Sequence, residues 1–157
     1  MKNKTAFFTG HRNIKKSLYN DIEITVKNIV VNLIRNGVVY YGVGGAIGFD
    51  TLASFTILSL KRQYPQIKLI VVLPCKNHTK FWSYKDIILI DEILKKADKI
   101  VYISDNYTKN CMLKRNIHLI KHSKYCICYY DNSNIGGTSF SVHWAKRYGL
   151  KIYNIHM

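Results

Sequence analysis

The chain has 157 residues, 48% of them hydrophobic, and carries 24 Lys and Arg against 9 Asp and Glu, a formal charge of +15. That length and apolar content exclude a disordered chain and set the expectation of a single domain, residues 1–157, around one core. The charge favours anionic partners or a solvated lysine-rich surface, since the lysines are spread along the chain and form no polybasic tail.

No stretch approaches the roughly 18 apolar residues of a membrane helix. The apolar run after "MKNK" stops at Gly10, His11 and Arg12, too short for a secretory signal. The expected location is the cytoplasm, with no membrane partner, where Cys75, Cys111, Cys126 and Cys128 stay reduced. Cys126 and Cys128 form a C-x-C on one face of a strand. They lack the second Cys or His pair of a zinc site, so they read as core, and no metal or cofactor is expected.

Residues 5–10 (TAFFTG) read as a strand. Ile22, Val26, Ile29, Val30, Leu33 and Ile34 then recur at helical spacing within 17–37, where Gly37 suits the stop. Residues 38–44 (VVYYGVG) are a strand ending in glycines, and 49–64 a helix closed before Pro65. The β-branched run 67–74 (IKLIVVLP) is the third strand. Helices at 84–97, 110–123 and 138–149 alternate with strands at 98–104, 125–131 and 150–155. Six continuous apolar strands in strict alternation with five helices predict a mostly parallel sheet covered on both faces. The fold is α/β, a Rossmann-like doubly wound sheet.

Such sheets bind ligands beyond the carboxyl ends of their strands. Thr9, Gly10, His11 and Arg12 follow the first strand, and Gly42 to Asp50 the second. Pro74 and Cys75 follow the third, and Ser104, Asp105 and Tyr107 the fourth. Asp131, Ser133, Asn134, Gly136, Gly137 and Thr138 follow the fifth. Glycines before a helix offer free N–H groups and a positive dipole end to an anion. "YGVGGAIGFD" and "SNIGGTSF" both fit, and Arg12 adds a charge-assisted contact. Two such turns on one sheet edge suit a phosphorylated ligand. Asp50 and Thr138 also read as helix caps. Neither G-x-G-x-x-G after the first strand nor a P-loop is present.

"FTGHR", "GGAIGFDTLA", "LPCKNHTKFW", "MLKRN" and "DNSNIGGTSFSVHWA" occur in that order. The set resembles the YpsA/YoqJ-type branch of the SLOG superfamily, whose Rossmann-like fold is shared with the DNA-processing protein A and LONELY GUY families. The resemblance covers nearly the whole chain and implies a pocket for a nucleotide or nucleotide-derived ligand. By this resemblance the pocket residues are Gly10, His11, Arg12, Gly44, Gly45, Asp50, Pro74, Trp82, Ser104, Asp105, Tyr107, Arg115, Asn116, Gly136, Gly137 and Thr138. Trp82 or Tyr107 would stack on a base. The chain departs from the branch at His78, where a Gln is usual, and at Lys121 and Lys124, where acids are usual.

Three functions follow. The first is binding, as sensor or sequestering protein, of ADP-ribose, a cyclic ADP-ribose variant or a related NAD-derived signal, without catalysis. The second is a nucleoside-monophosphate phosphoribohydrolase or N-glycosidase. The LONELY GUY enzymes carry glutamates just after their Gly-Gly-Thr turn, but here Ser139, Phe140, Ser141 and Val142 stand there, leaving Asp50 or Asp105 as acid–base. The third is single-stranded DNA binding, which the charge favours. The resemblance also implies a homodimer.

Overall fold

The structure is a computed structural model and describes residues 1–131 and 136–156. Ser133 and Asn134, named above, lie outside these residues. A 3-10 turn at Lys2–Lys4 precedes β1 (Thr5–Gly10), α1 (Lys16–Arg35), β2 (Tyr40–Val43) and α2 (Phe49–Leu60). Then come β3 (Lys68–Cys75), α3 (Tyr84–Lys96), β4 (Lys99–Ser104), α4 (Cys111–Lys121), β5 (Tyr125–Tyr129), α5 (Gly137–Arg147) and β6 (Lys151–Asn154). The six strands form one sheet in the order β4-β3-β2-β1-β5-β6, and every neighbouring pair is parallel. This is the α/β, Rossmann-like sheet that the alternation of elements predicts.

The order follows from the connections. The chain steps outward from β1 to β4, then returns through α4 to place β5 on the other side of β1. With right-handed crossovers, reversing direction moves the helices to the opposite face. Accordingly Phe8, Tyr41, Leu69 and Ile127 pack with Ile22, Val26, Leu52, Ile57, Ile90 and Ile93 of α1, α2 and α3. Phe7, Val72, Cys126 and Cys128 pack with Leu119, Ile120, Val142 and Ala145 of α4 and α5. Neighbouring Phe7 and Phe8 thus enter opposite layers, as the period of two along a strand requires. The four cysteines are buried and free, and Cys126 and Cys128 belong to the core.

β2 ends one residue earlier than its apolar run, because Gly44 spends its amide on Asp50 and its carbonyl on Arg115 rather than on a sheet ladder. α2 stops at Leu60, whose carbonyl accepts the Tyr64 amide just before Pro65. At the start of α3, the Ser83 hydroxyl accepts the Asp86 amide at 3.2 Å and donates to the Asp86 carboxylate at 2.9 Å. Ser83→Ala is therefore expected to cost about 1 kcal/mol in a urea melt. Among the described residues no helix is long and apolar enough to cross a membrane.

Candidate functional site

β1 is where the strand order reverses, with β2 on one side and β5 on the other. A cavity of about 560 Å³ opens there, within the range of small-ligand sites. Its wall comes from the end of β1 through Arg12, from Gly44 and Ala46 after β2, from Asp50 on α2, from α4, and from Gly136 to Thr138 at the start of α5.

The turn after β1 is fixed from several directions. The Phe49 amide donates to the His11 carbonyl at 3.1 Å, and the His11 amide to the Tyr129 carbonyl at 3.2 Å. A Cβ on Gly10 would stand 2.5 Å from the Phe49 ring, so only glycine lets β1 lie this close to α2. His11 Nε2 lies 2.9 Å from an Asp131 carboxylate oxygen and 3.1 Å from the Asp131 amide nitrogen. Nε2 accepts the amide when it carries no proton and donates to the carboxylate when it does. The imidazole thereby joins the ends of β1 and β5.

Arg115 comes from the inner face of α4 and is buried. Its guanidinium donates to the Gly44 carbonyl and, through Nε, to Asn116 Oδ1 at 2.7 Å. A Cβ on Gly44 would lie 2.8 Å from this guanidinium, so the glycine makes room for it. Asp50 is not the cap of α2, since Gly48 holds that position. From the first turn it reaches back instead, and one carboxylate oxygen accepts the Gly44 and Ala46 amides, each at 3.2 Å.

Burial raises the Asp50 pKa from its ordinary 3.8 to about 6, against the pull of Arg115, the Ala46 and Gly44 amides and Arg12. Arg115 is held below its ordinary value, by burial and by Arg12, despite the attraction of Asp50. A folded pKa above the unfolded one means that Asp50 supports folding while protonated. That contribution is complete below about pH 4 and is lost as pH rises through 6. A gap of two units corresponds to about 3 kcal/mol. Asp50→Asn keeps an oxygen for both amides and is expected to be more stable than wild type by about 2 kcal/mol at pH 8, the difference closing towards pH 4. Urea melts across this range check it. A variant less stable than wild type at pH 8 would mean that attraction to Arg115 outweighs burial.

The YpsA family model, described as the YspA SLOG family, matches residues 6–157. The chain belongs to the YpsA SLOG family. It is 29% identical to the SPbeta prophage-derived protein YoqJ of Bacillus subtilis (strain 168), over 72% of this chain and 74% of that one. It is 26% identical to a UPF0398 protein of Oenococcus oeni, over 91% of this chain and 81% of that one. DNA processing protein A from Helicobacter pylori, whose structure concerns a single-stranded DNA binding mode, superposes with a TM-score of 0.66 at 22% identity, covering 96% of this chain. The chain spans 64% of that protein, less than two thirds of its length. The structural-genomics target TM1055 superposes with a TM-score of 0.59 at 14% identity, over 95% of this chain and 72% of that one. Both likenesses concern the fold.

Of the pocket residues that the YpsA SLOG resemblance implies, the structure brings Gly10, His11, Arg12, Gly44, Asp50, Arg115, Asn116, Gly136, Gly137 and Thr138 to the cavity. Gly45, Pro74, Trp82, Ser104, Asp105 and Tyr107 do not line it. Gly45 supports the wall from behind, its carbonyl 3.4 Å from His78 Nε2. Pro74 lies within β3. Trp82 is half-buried edge-on against His78 and packs on the α1–α3 layer. The Ser104 hydroxyl donates to the Asn106 carbonyl at 2.6 Å. Asp105 is 84% exposed and pairs with Lys76 at 3.3 Å, and Tyr107 is exposed. β3 and β4 stand beyond β2, so the loops that follow them reach the same sheet edge away from the β1 turn. Lys109, Met112 and Leu113 line the cavity and were not among the expected residues. Helical spacing carries the signal for part of this wall: Met112, Arg115, Asn116 and Leu119 recur on one face of α4. Among the described residues no group of three or more His, Cys, Asp or Glu side chains could hold a metal.

Proposed function

We propose that the cavity binds the phosphate or pyrophosphate of a nucleotide-derived ligand, ADP-ribose, a cyclic ADP-ribose variant or a related NAD-derived compound, and holds it without turnover. One observation carries the reading. Arg12, Lys109 and Arg115 face the same cavity, whose one lining carboxylate among the described residues, Asp50, is engaged by two backbone amides. Arg115 is held partly desolvated beside another arginine, an arrangement that an incoming anion relieves. The start of α5 at Gly136 adds its dipole at the same rim.

The absence of turnover rests on the carboxylates. α5 carries none, and Asp105 points to solvent beside Lys76. A buried carboxyl with a raised pKa is also a feature of general acids, so Asp50 is the residue an N-glycosidase would have to use. Its engagement by the Gly44 and Ala46 amides favours a role in shaping the wall. Chromatography after long incubation with nucleoside monophosphates and ADP-ribose is expected to return them intact. Release of free base, lost in Asp50→Asn, would establish the enzyme instead.

A second reading is single-stranded DNA binding. The charge of +15, Lys109 at the cavity and the likeness to DNA processing protein A support it. It predicts oligothymidine binding that weakens steeply with salt. The homodimer that the resemblance implies belongs with this proposal and is read by light scattering.

A further inference from the structure

A second cavity, of about 280 Å³, lies on the α4 side of the sheet, away from Arg12 and Asp50. Its floor is a strip of strand residues beside α4, in which Ile70 and Val101 are partly exposed and Gly42 and Val72 are buried. Gly42, Ile70 and Lys99 stand side by side across β2, β3 and β4, and Val72 stands beside Val101 in the next row. Leu119 closes the α4 side. The floor is therefore aliphatic, with a lysine at the sheet-edge end of one row.

The rim carries lysines, and among the described residues no Asp or Glu lines the cavity. Lys121, His118 and His122 lie at the carboxyl end of α4, where positive groups complement the helix dipole. That duty does not account for Lys99, which opens β4, or for Lys2, which precedes β1. Three separate elements thus bring positive charge to one apolar groove. Among the described residues Lys2, Lys99 and Lys121 form no ion pair. Burial, His122 and, to a lesser extent, the charge of Lys99 hold the His118 imidazole's pKa below its ordinary value.

We propose that this groove binds a small amphiphilic carboxylate, with the aliphatic chain on Ile70, Val72, Val101 and Leu119 and the carboxylate between Lys99 and Lys121. An aliphatic floor of Ile70, Val72, Val101 and Leu119 suits a methylene chain. Tyr40, on the same face of β2 as Gly42, and the His118 and His122 rings also line the cavity.

The test is calorimetric titration of the full chain with hexanoate, octanoate, decanoate and, as charge-reversed control, decyltrimethylammonium. Affinity is expected to rise roughly fourfold per methylene, the equivalent of about 0.8 kcal/mol per buried CH₂. The ammonium amphiphile is expected to bind at least tenfold more weakly than decanoate. Lys99→Glu with Lys121→Glu changes exposed positions, leaves the fold intact, and should weaken decanoate at least tenfold while strengthening the ammonium. Arg12→Ala should leave decanoate binding unchanged, so this site stands or falls apart from the nucleotide cavity. Equal affinity for the two charge types, or no decanoate binding up to about 1 mM, overturns the proposal. So does a dimer, seen by light scattering, that the double charge reversal disrupts while decanoate does not bind.

Discussion

Replacing Arg12 by alanine is expected to weaken binding of ADP-ribose and related anions roughly 100-fold while leaving the protein folded. The guanidinium lies at the cavity wall and is exposed. Among the described residues it forms no ion pair or hydrogen bond, so its loss takes little from the folded state. A charge-assisted hydrogen bond contributes about 1.5 to 3 kcal/mol, and a bidentate arginine lies at the upper end. The expected loss is therefore roughly 100-fold in affinity, with an unchanged urea midpoint. Arg12→Lys keeps the charge but loses the planar fork, and should fall between the two. Calorimetry on the three proteins reads this directly. Wild-type affinity in Arg12→Ala would move the anion site away from the β1 turn.

The largest stability effect is expected at Gly48. Its φ of +81° and ψ of −119° lie in a region that side chains other than glycine avoid, at a cost of about 1 to 3 kcal/mol. A Cβ there would also stand 2.1 Å from the Arg12 carbonyl oxygen, a backbone atom that cannot move without the turn. Gly48→Ala should thus destabilise by about 3 to 4 kcal/mol, lowering the melting midpoint by roughly 6 to 16 °C for a chain of this size. Binding should fall too, because the displaced atom belongs to Arg12. Gly136→Ala makes the control. Its φ is +103°, but among the described residues nothing lies within 4 Å of the added Cβ, so the backbone strain of about 1 to 2 kcal/mol is the expected cost. Equal losses at the two positions would mean that the contact with Arg12 relaxes at no cost.

The contrast between Gly48 and Gly136 also marks what can be read in a sequence. Both stand before a helix in a glycine-rich run, and the pattern alone treats them alike. Only the structure shows that one is closed by the β1 turn, whereas the other meets no described residue within 4 Å. The elements themselves were legible, because continuous apolar strands alternating with amphipathic helices leave few arrangements but a parallel, doubly covered sheet. The grouping of loops was less so. All of them lie at one sheet edge, but their separation depends on strand order. Ser104 ends the edge strand β4, Asp105 and Tyr107 follow it, and Pro74 and Trp82 belong to β3 and its loop, so none of them lines the cavity beside β1. Arg115 turned on helix phase: one residue of rotation separates a solvated arginine from the buried one that holds Gly44. In the sequence Asp50 reads equally as a helix cap or a pocket residue, and in the structure its carboxylate bends back onto the preceding loop. Nothing in the sequence distinguishes these two ways of engaging free amides near a helix start.

Calorimetric titration of wild-type protein with ADP-ribose, cyclic ADP-ribose, NAD and AMP tests the central claim most directly. At least one of the four should saturate a single site, with the heat lost in Arg12→Ala. Folded wild-type protein that gives no binding heat with any of them would contradict it.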